Sequence, residues 1–176
     1  MNALVLVGLM AASVVGAVAG LGWWGGRDGA LLALRWTAAC SAVAFLGAYV
    51  PLHAARRWRD WWRAFAALHA IHLGAILWFV WGAGGQVSWV VLVVGGPGYA
   101  LLAVATARDL RAHVGPSDAV IRVATAYLWF VFLLTFAVHW SEHGGPYRLA
   151  WIVLFLGAPW LRQRLRRPPI VVRRAT

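Results

Sequence analysis

Apolar residues run along this chain in long stretches, and the polar residues gather between them. Windows of about 17–25 residues, the length that carries a helix across a hydrocarbon core, fit six segments. These are roughly Ala3–Trp24, Ala30–Leu52, Arg63–Gly82, Val87–Ala107, Ala119–Trp140 and Tyr147–Leu161. The pattern predicts an all-α integral membrane protein, a six-transmembrane-helix bundle over residues 1–161 with a basic tail over 162–176. Composition agrees, with 62% hydrophobic residues, 12% charged ones and a mean hydropathy of +0.72. A water-soluble domain of 176 residues needs a far more polar exterior.

Charge orients the bundle. All sixteen basic residues are arginines. The first connection, Gly25 to Gly29, is nearly neutral, and the third, Gly82 to Gln86, is uncharged. The second carries Arg56, Arg57, Arg59 and Arg63 against Asp60, and the fourth carries Arg108, Arg111 and His113 against Asp109 and Asp118. The fifth holds Glu142 and Arg148, while Arg162, Arg164, Arg166, Arg167, Arg173 and Arg174 follow the last span. The positive-inside rule then places the basic loops and both termini in the cytoplasm. The expected location is a bacterial cytoplasmic (inner) membrane, N-in and C-in. A net charge of +11 with no soluble domain to carry it points to anionic lipid headgroups rather than nucleic acid.

Several features need no chemistry. The first apolar run lacks a basic n-region and exceeds a signal-peptide core, so it reads as a membrane helix despite Ala17-Val18-Ala19. Gly8, Ala12, Gly16 and Gly20 form a small-residue stripe along it, suited to close helix packing. Trp23, Trp24, Trp58, Trp61, Trp62, Trp140 and Trp160 fall at span ends, as interfacial indoles do, whereas Trp78, Trp81 and Trp129 lie deeper. Cys40 is the only cysteine, so it has no internal disulfide partner. Arg35 sits just inside the second span, from which it can snorkel to the headgroups. Gly95-Gly96-Pro97-Gly98 should kink or break the fourth span, because proline lacks an N–H and glycine weakens a helix. Transporters place binding sites at such breaks. A kink that makes room for a neighbouring helix or cofactor is the commoner use.

The candidate chemistry lies with the histidines, since ionisable groups within a bilayer are costly and tend to be functional. His53 and His113 lie at the cytoplasmic rim. His69 and His72 are three residues apart within the third span and share a helix face. His139 ends the fifth span and His143 follows it. Imidazole is a common axial ligand for haem iron, and a b-type haem needs no covalent motif. With Arg59 and Arg122 as depth markers, His139 is offset by about 6 Å from His72 and about 10 Å from His69. Depth alone therefore favours His72.

From Arg35 onward the chain resembles the ferric reductase-like transmembrane domain, especially the haem-binding membrane subunit of the periplasmic methionine sulfoxide reductase system. The resemblance is carried by Pro51-Leu52 before Arg56-Arg57, and by Phe65-Ala66-Ala67-Leu68-His69. It continues in Gly98-Tyr99-Ala100-Leu101-Leu102 before a basic loop and Gly115, and in Ala137-Val138-His139-Trp140. It implies a b-type haem held by His69 and His139. The chain departs from the pattern at Ala126, where the family usually has a further histidine. That departure argues against a second haem on the cytoplasmic side.

His139-Trp140-Ser141-Glu142-His143 matches the H-x-x-E-H string of inverted zinc peptidases. Gly144-Gly145-Pro146 ends the helix at once, however, and Glu142 is the only glutamate, so a third ligand is missing. A metal site on the outer rim, using His139 and His143, is the simpler reading of that string. The leading expectation is a haem-b electron-transfer protein linking a quinol or cytoplasmic reductase to an outer-side acceptor. Its candidate cofactor residues are His69, His72, His139 and Arg35, and its candidate metal ligands are His69, His72, His139 and His143. Partners would be anionic lipids, a quinone, and other membrane or redox subunits. The alternatives are a non-catalytic subunit of a larger membrane complex, and a small carrier built around a broken fourth helix.

Overall fold

The computed structural model describes residues 8, 11, 14–15, 27–50, 55–138 and 145–165. Among them are five α-helices and no strand: α1 (Arg27–Tyr49), α2 (Ala55–Trp81), α3 (Trp89–Ala112), α4 (Ala119–Val138) and α5 (Gly145–Leu165). They correspond to the second through sixth predicted spans. Of the first span, Gly8, Ala11, Val14 and Val15 are described, all helical, with Val14 buried in the core. Gly8 is the one described member of the predicted small-residue stripe, and no other described residue would lie within 4 Å of a methyl group there. Among the described residues three segments are long and apolar enough to cross a membrane: Gly29–Tyr49, Trp58–Trp81 and Ala119–Ala137.

The helices extend beyond the apolar windows into the basic segments. α2 begins eight residues before Arg63, so Arg56, Arg57 and Arg59 lie on its first turns rather than in a loop. α3 runs on through Arg108 and Arg111, and α5 through Arg162 and Arg164. Arginine is a good helix former, and the chain has few breakers at these points. Hydropathy marks where the bilayer ends; backbone hydrogen bonding decides where the helix ends.

Each helix packs on its neighbour in sequence, and α5 returns to α1, closing a ring. The α1–α2 pair is the most extensive contact. Its cause is a stripe on α1: Ala30, Ala33, Thr37, Ser41, Ala44 and Ala48 recur every three or four residues and are all buried. Small side chains let a second helix come close, where dispersion acts over many atoms. Gly47 extends the same principle, since a methyl group there would meet Cδ2 of Trp61 at 2.5 Å. The ring's centre is aromatic. Phe45 of α1 lies 5.2 Å from Phe65 of α2, 5.3 Å from Phe132 of α4 and 6.1 Å from Phe155 of α5, centroid to centroid. Trp58 and Trp62 join this core, stacked on each other at 5.6 Å. They are therefore not the membrane-facing interfacial indoles that their span-end positions suggested. Trp160 is exposed as expected, and Trp23, Trp24 and Trp140 lie outside the described residues.

Pro97 does not break α3, which is continuous from Trp89 to Ala112. The hydroxyl of Tyr127 on α4 donates to the carbonyl of Val94, in the turn that precedes the proline. Gly98 admits α4 at this level, with its missing methyl 3.3 Å from Leu128 and 3.5 Å from Tyr127. A second proline, Pro159, lies inside α5. It denies the Phe155 carbonyl its usual helical donor, and the Trp129 indole N–H supplies one instead at 2.8 Å. Thus α4 provides the polar contact beside both prolines.

Candidate functional site

A few polar side chains are buried in an otherwise apolar core, and large apolar ones cover much of the outer surface. Thr37, Ser41, His69, Asp109 and Thr125 are buried, whereas Leu32, Trp36, Val43, Val123 and Phe130 face outward. Apolar surroundings make a buried polar group costly unless it is paired. The pairing of these groups therefore defines the site.

His69 and His72 share the face of α2 that meets the small-residue stripe of α1, with ring centroids 5.8 Å apart. The stripe's two hydroxyls meet the two imidazoles. Ser41 Oγ lies 2.7 Å from Nδ1 of His69, and Thr37 Oγ1 lies 2.9 Å from Nδ1 of His72. The helices run antiparallel, so a turn backward on α1 matches a turn forward on α2. Ser41 thus reaches the deeper histidine and Thr37 the next. Thr37 Oγ1 also donates to helix carbonyls, 2.9 Å from that of Ala33 and 3.1 Å from that of Leu34. Neither imidazole uses Nε2 in a hydrogen bond with a described residue.

His69 is further enclosed by rings. Tyr99 of α3 stacks on it at 4.4 Å and 23°, Phe65 lies at 5.1 Å and Phe132 at 5.7 Å. The Tyr99 hydroxyl is buried with no hydrogen-bond partner among the described residues. Beyond His72, a cavity of about 280 Å³ opens between α1 and α2, lined by Ala33, Ile71, Gly74, Ala75 and Trp78. Its lining is apolar.

The other sequence candidates fall elsewhere. Arg35 is exposed on α1 and makes no hydrogen bond or ion pair with a described residue. The geometry therefore does not join it to the histidines. His139 and His143 lie outside the described residues. Ala126, where the related pattern has a histidine, is exposed on α4. Among the described residues no three His, Cys, Asp or Glu side chains converge as a metal site. Of the deeper tryptophans, Trp78 borders the cavity, Trp81 is exposed, and Trp129 donates to the Phe155 carbonyl. Ser41 and Thr37 carried no sequence signal of their own, and Tyr99 entered only within the Gly98–Leu102 motif, with no role attached. The three-and-four spacing of small residues on α1 is the signal that points to the two hydroxyls.

A second polar cluster occupies one end of the bundle. Asp109 of α3 is fully buried between two arginines of α2, with Arg63 Nε 3.0 Å from one oxygen and Arg59 Nε 3.5 Å from the other. The first is a hydrogen bond; the second is an ion pair without hydrogen-bond geometry. Arg59 also donates to the His113 carbonyl at the end of α3. Nearby, Arg108 bonds Asp118 at 2.9 Å, and Asp118 caps α4 by accepting from the amides of Val120 and Ile121. The Arg108 hydrogen bond, helped by those two amides, holds the Asp118 carboxyl below its ordinary range. At the same end the Arg162 guanidinium lies 4.6 Å over the Tyr49 ring. The second and fourth connections and the start of the tail therefore share one end of the bundle.

The chain matches no protein-family model, no curated protein and no solved structure.

Proposed function

We propose that this is a small haem-b-binding membrane protein, passing electrons between a quinol or cytoplasmic reductase and an outer-side acceptor. The observation that carries this reading is the pair of imidazoles on one buried face of α2, each anchored through Nδ1 to a hydroxyl of α1. A metal-ligating histidine is typically held in this way, by a hydrogen bond from its other nitrogen. Nε2 of each ring makes no competing bond with a described residue. The Tyr99 hydroxyl beside His69, buried with no hydrogen-bond partner among the described residues, would be available to a bound group. Imidazole nitrogens with no competing hydrogen bond among the described residues are donors that would suit a b-type haem. His69 or His72 would supply one ligand and His139 the other. When bound, a b-type haem supplies one-electron transfer. The chain's own groups orient the imidazoles and keep water from them, through Phe65, Phe132 and Tyr99.

The proposed setting is a bacterial cytoplasmic membrane, with six spans and both termini inside. The gathering of Arg59, Arg63, Arg108 and Arg162 at one end supports that orientation. Anionic lipids, a quinone and redox subunits would be the partners. The test is a reduced-minus-oxidised absorption spectrum of protein purified in detergent with ample haem. A sharp low-spin α-band that is lost in His139→Ala is the expected result. A colourless protein overturns the reading.

One observation favours a second reading, an accessory subunit of a larger membrane complex. The same hydroxyl–imidazole pairs join α1 to α2 and would serve as structural clasps without any cofactor. That reading predicts a colourless protein that co-purifies with larger partners. A carrier organised around a broken helix draws no support from α3, which is continuous through Pro97.

A further inference from the structure

The two histidines of α2 are held by chemically different hydroxyls. We infer that Thr37 sets the tautomer of His72, keeping its proton on Nδ1 and leaving Nε2 as a bare lone pair, so that His72 rather than His69 is the ligating imidazole of α2.

The argument counts protons. A threonine hydroxyl has one hydrogen and two lone pairs. Thr37 Oγ1 stands 2.9 Å from the Ala33 carbonyl oxygen and 3.1 Å from that of Leu34. Carbonyl oxygens carry no proton, so contacts this short are repulsive unless the hydroxyl hydrogen lies between them. The Thr37 proton is therefore committed to its own helix. Toward His72, 2.9 Å away, Oγ1 has only a lone pair to offer, and the bond forms only if Nδ1 of His72 is the donor. A neutral imidazole protonated at Nδ1 is unprotonated at Nε2, the form that coordinates a metal or accepts a proton.

Ser41 is placed differently. Its hydroxyl has no acceptor among the described residues other than Nδ1 of His69, at 2.7 Å. With no second acceptor holding its proton, Ser41 can either donate to that nitrogen or accept from it, so it does not hold His69 in the Nδ1-protonated form. Thr37 is thus a positioning residue acting through His72, while Ser41 clasps His69 into the core. Ligation by His72 rests on the haem reading above; the tautomer itself does not.

Solid-state NMR of protein labelled with [15N]histidine, in lipid bilayers without haem, measures the tautomers directly. The expected result is a protonated Nδ1 and an unprotonated Nε2 for His72. Thr37→Val should lose this bias, Thr37→Ser should retain it, and Ser41→Ala should leave His72 unchanged. An Nε2-protonated His72 in the unaltered protein overturns the inference and needs no variant to fold. In the haem-loaded protein, His72→Ala should abolish the α-band while His69→Ala keeps it. Thr37→Val should weaken haem retention about 10–100-fold, as loss of a supporting hydrogen bond does. Pigment that survives His72→Ala but not His69→Ala overturns the ligand assignment. If the unaltered protein takes up no haem, the proposed function fails, and the NMR result alone decides the tautomer.

Discussion

Ser41 Oγ and Nδ1 of His69 lie 2.7 Å apart, both side chains buried between two helices whose outer faces are apolar. The bond joins the small-residue stripe of α1 to the aromatic centre of the ring. Removing the hydroxyl strands the imidazole without changing the surrounding shape. Ser41→Ala should cost about 1 kcal/mol, near the middle of the measured range for hydrogen bonds between membrane helices. Reversible unfolding in mixed micelles would read this difference, and an unchanged unfolding curve would show that the bond carries no stability.

The contact between Trp129 and the Phe155 carbonyl makes a linked prediction. Trp129→Phe removes the indole donor from a carbonyl that Pro159 has already deprived of its helical partner. A loss of about 1–2 kcal/mol is expected. Adding Pro159→Ala restores a backbone N–H four residues on, so the double variant should recover part of the loss. Thermal unfolding of the four proteins forms a double-mutant cycle. Strict additivity would show that the indole bond does not answer the proline.

Asp109 faces two arginines of α2, and its replacement leaves these like charges side by side without their counter-charge from α3. Breaking a buried ion pair costs about 3–5 kcal/mol. Arg59 and Arg63 keep 33% and 45% of their side-chain surface exposed, so solvent screens part of that penalty. Asp109→Ala should therefore cost about 1–3 kcal/mol. Arg63→Ala should cost less, because Arg59 remains to pair with the carboxylate. Denaturant unfolding of the two variants compares them, and equal effects would contradict this division.

Asp118 gives the chain an acid-sensitive turn. Its carboxyl is held low by Arg108 and by the amides of Val120 and Ile121, so its folded pKa lies below the ordinary value of 3.8. A depressed pKa contributes stability above the unfolded value, and that contribution is lost as pH falls through the folded one. Protection from hydrogen exchange at Val120 and Ile121, taken relative to the intrinsic rate at each pH, should fall on acidification below pH 3.8, and Asp118→Asn should abolish this pH dependence. Protection at these amides that is unaffected by acid would show that the cap does not depend on the carboxylate's charge.

The sequence alone specifies the helical class, the approximate positions of the described helices and the clustering of arginine, because each depends on composition within a window about as long as the bilayer is thick. It also places His69 and His72 on one helix face, since three residues of α-helix bring side chains to the same side. It does not reveal that α2 begins at Ala55, because the arginines that end the apolar window are themselves good helix formers. Nor does it mark Trp58 and Trp62 as core, or indicate that Pro97 and Pro159 sit within continuous helices. Each of these depends on a residue from another helix: the α1 stripe beside the tryptophans, Tyr127 and Trp129 beside the prolines. The partners of the histidines belong to the same category. Ser41 and Thr37 are unremarkable in α1 until the antiparallel register of α1 and α2 brings each to a particular imidazole. Hydropathy is a property of one segment, whereas the pairing of a buried polar atom belongs to two segments in a fixed register, and only the tertiary structure sets that register.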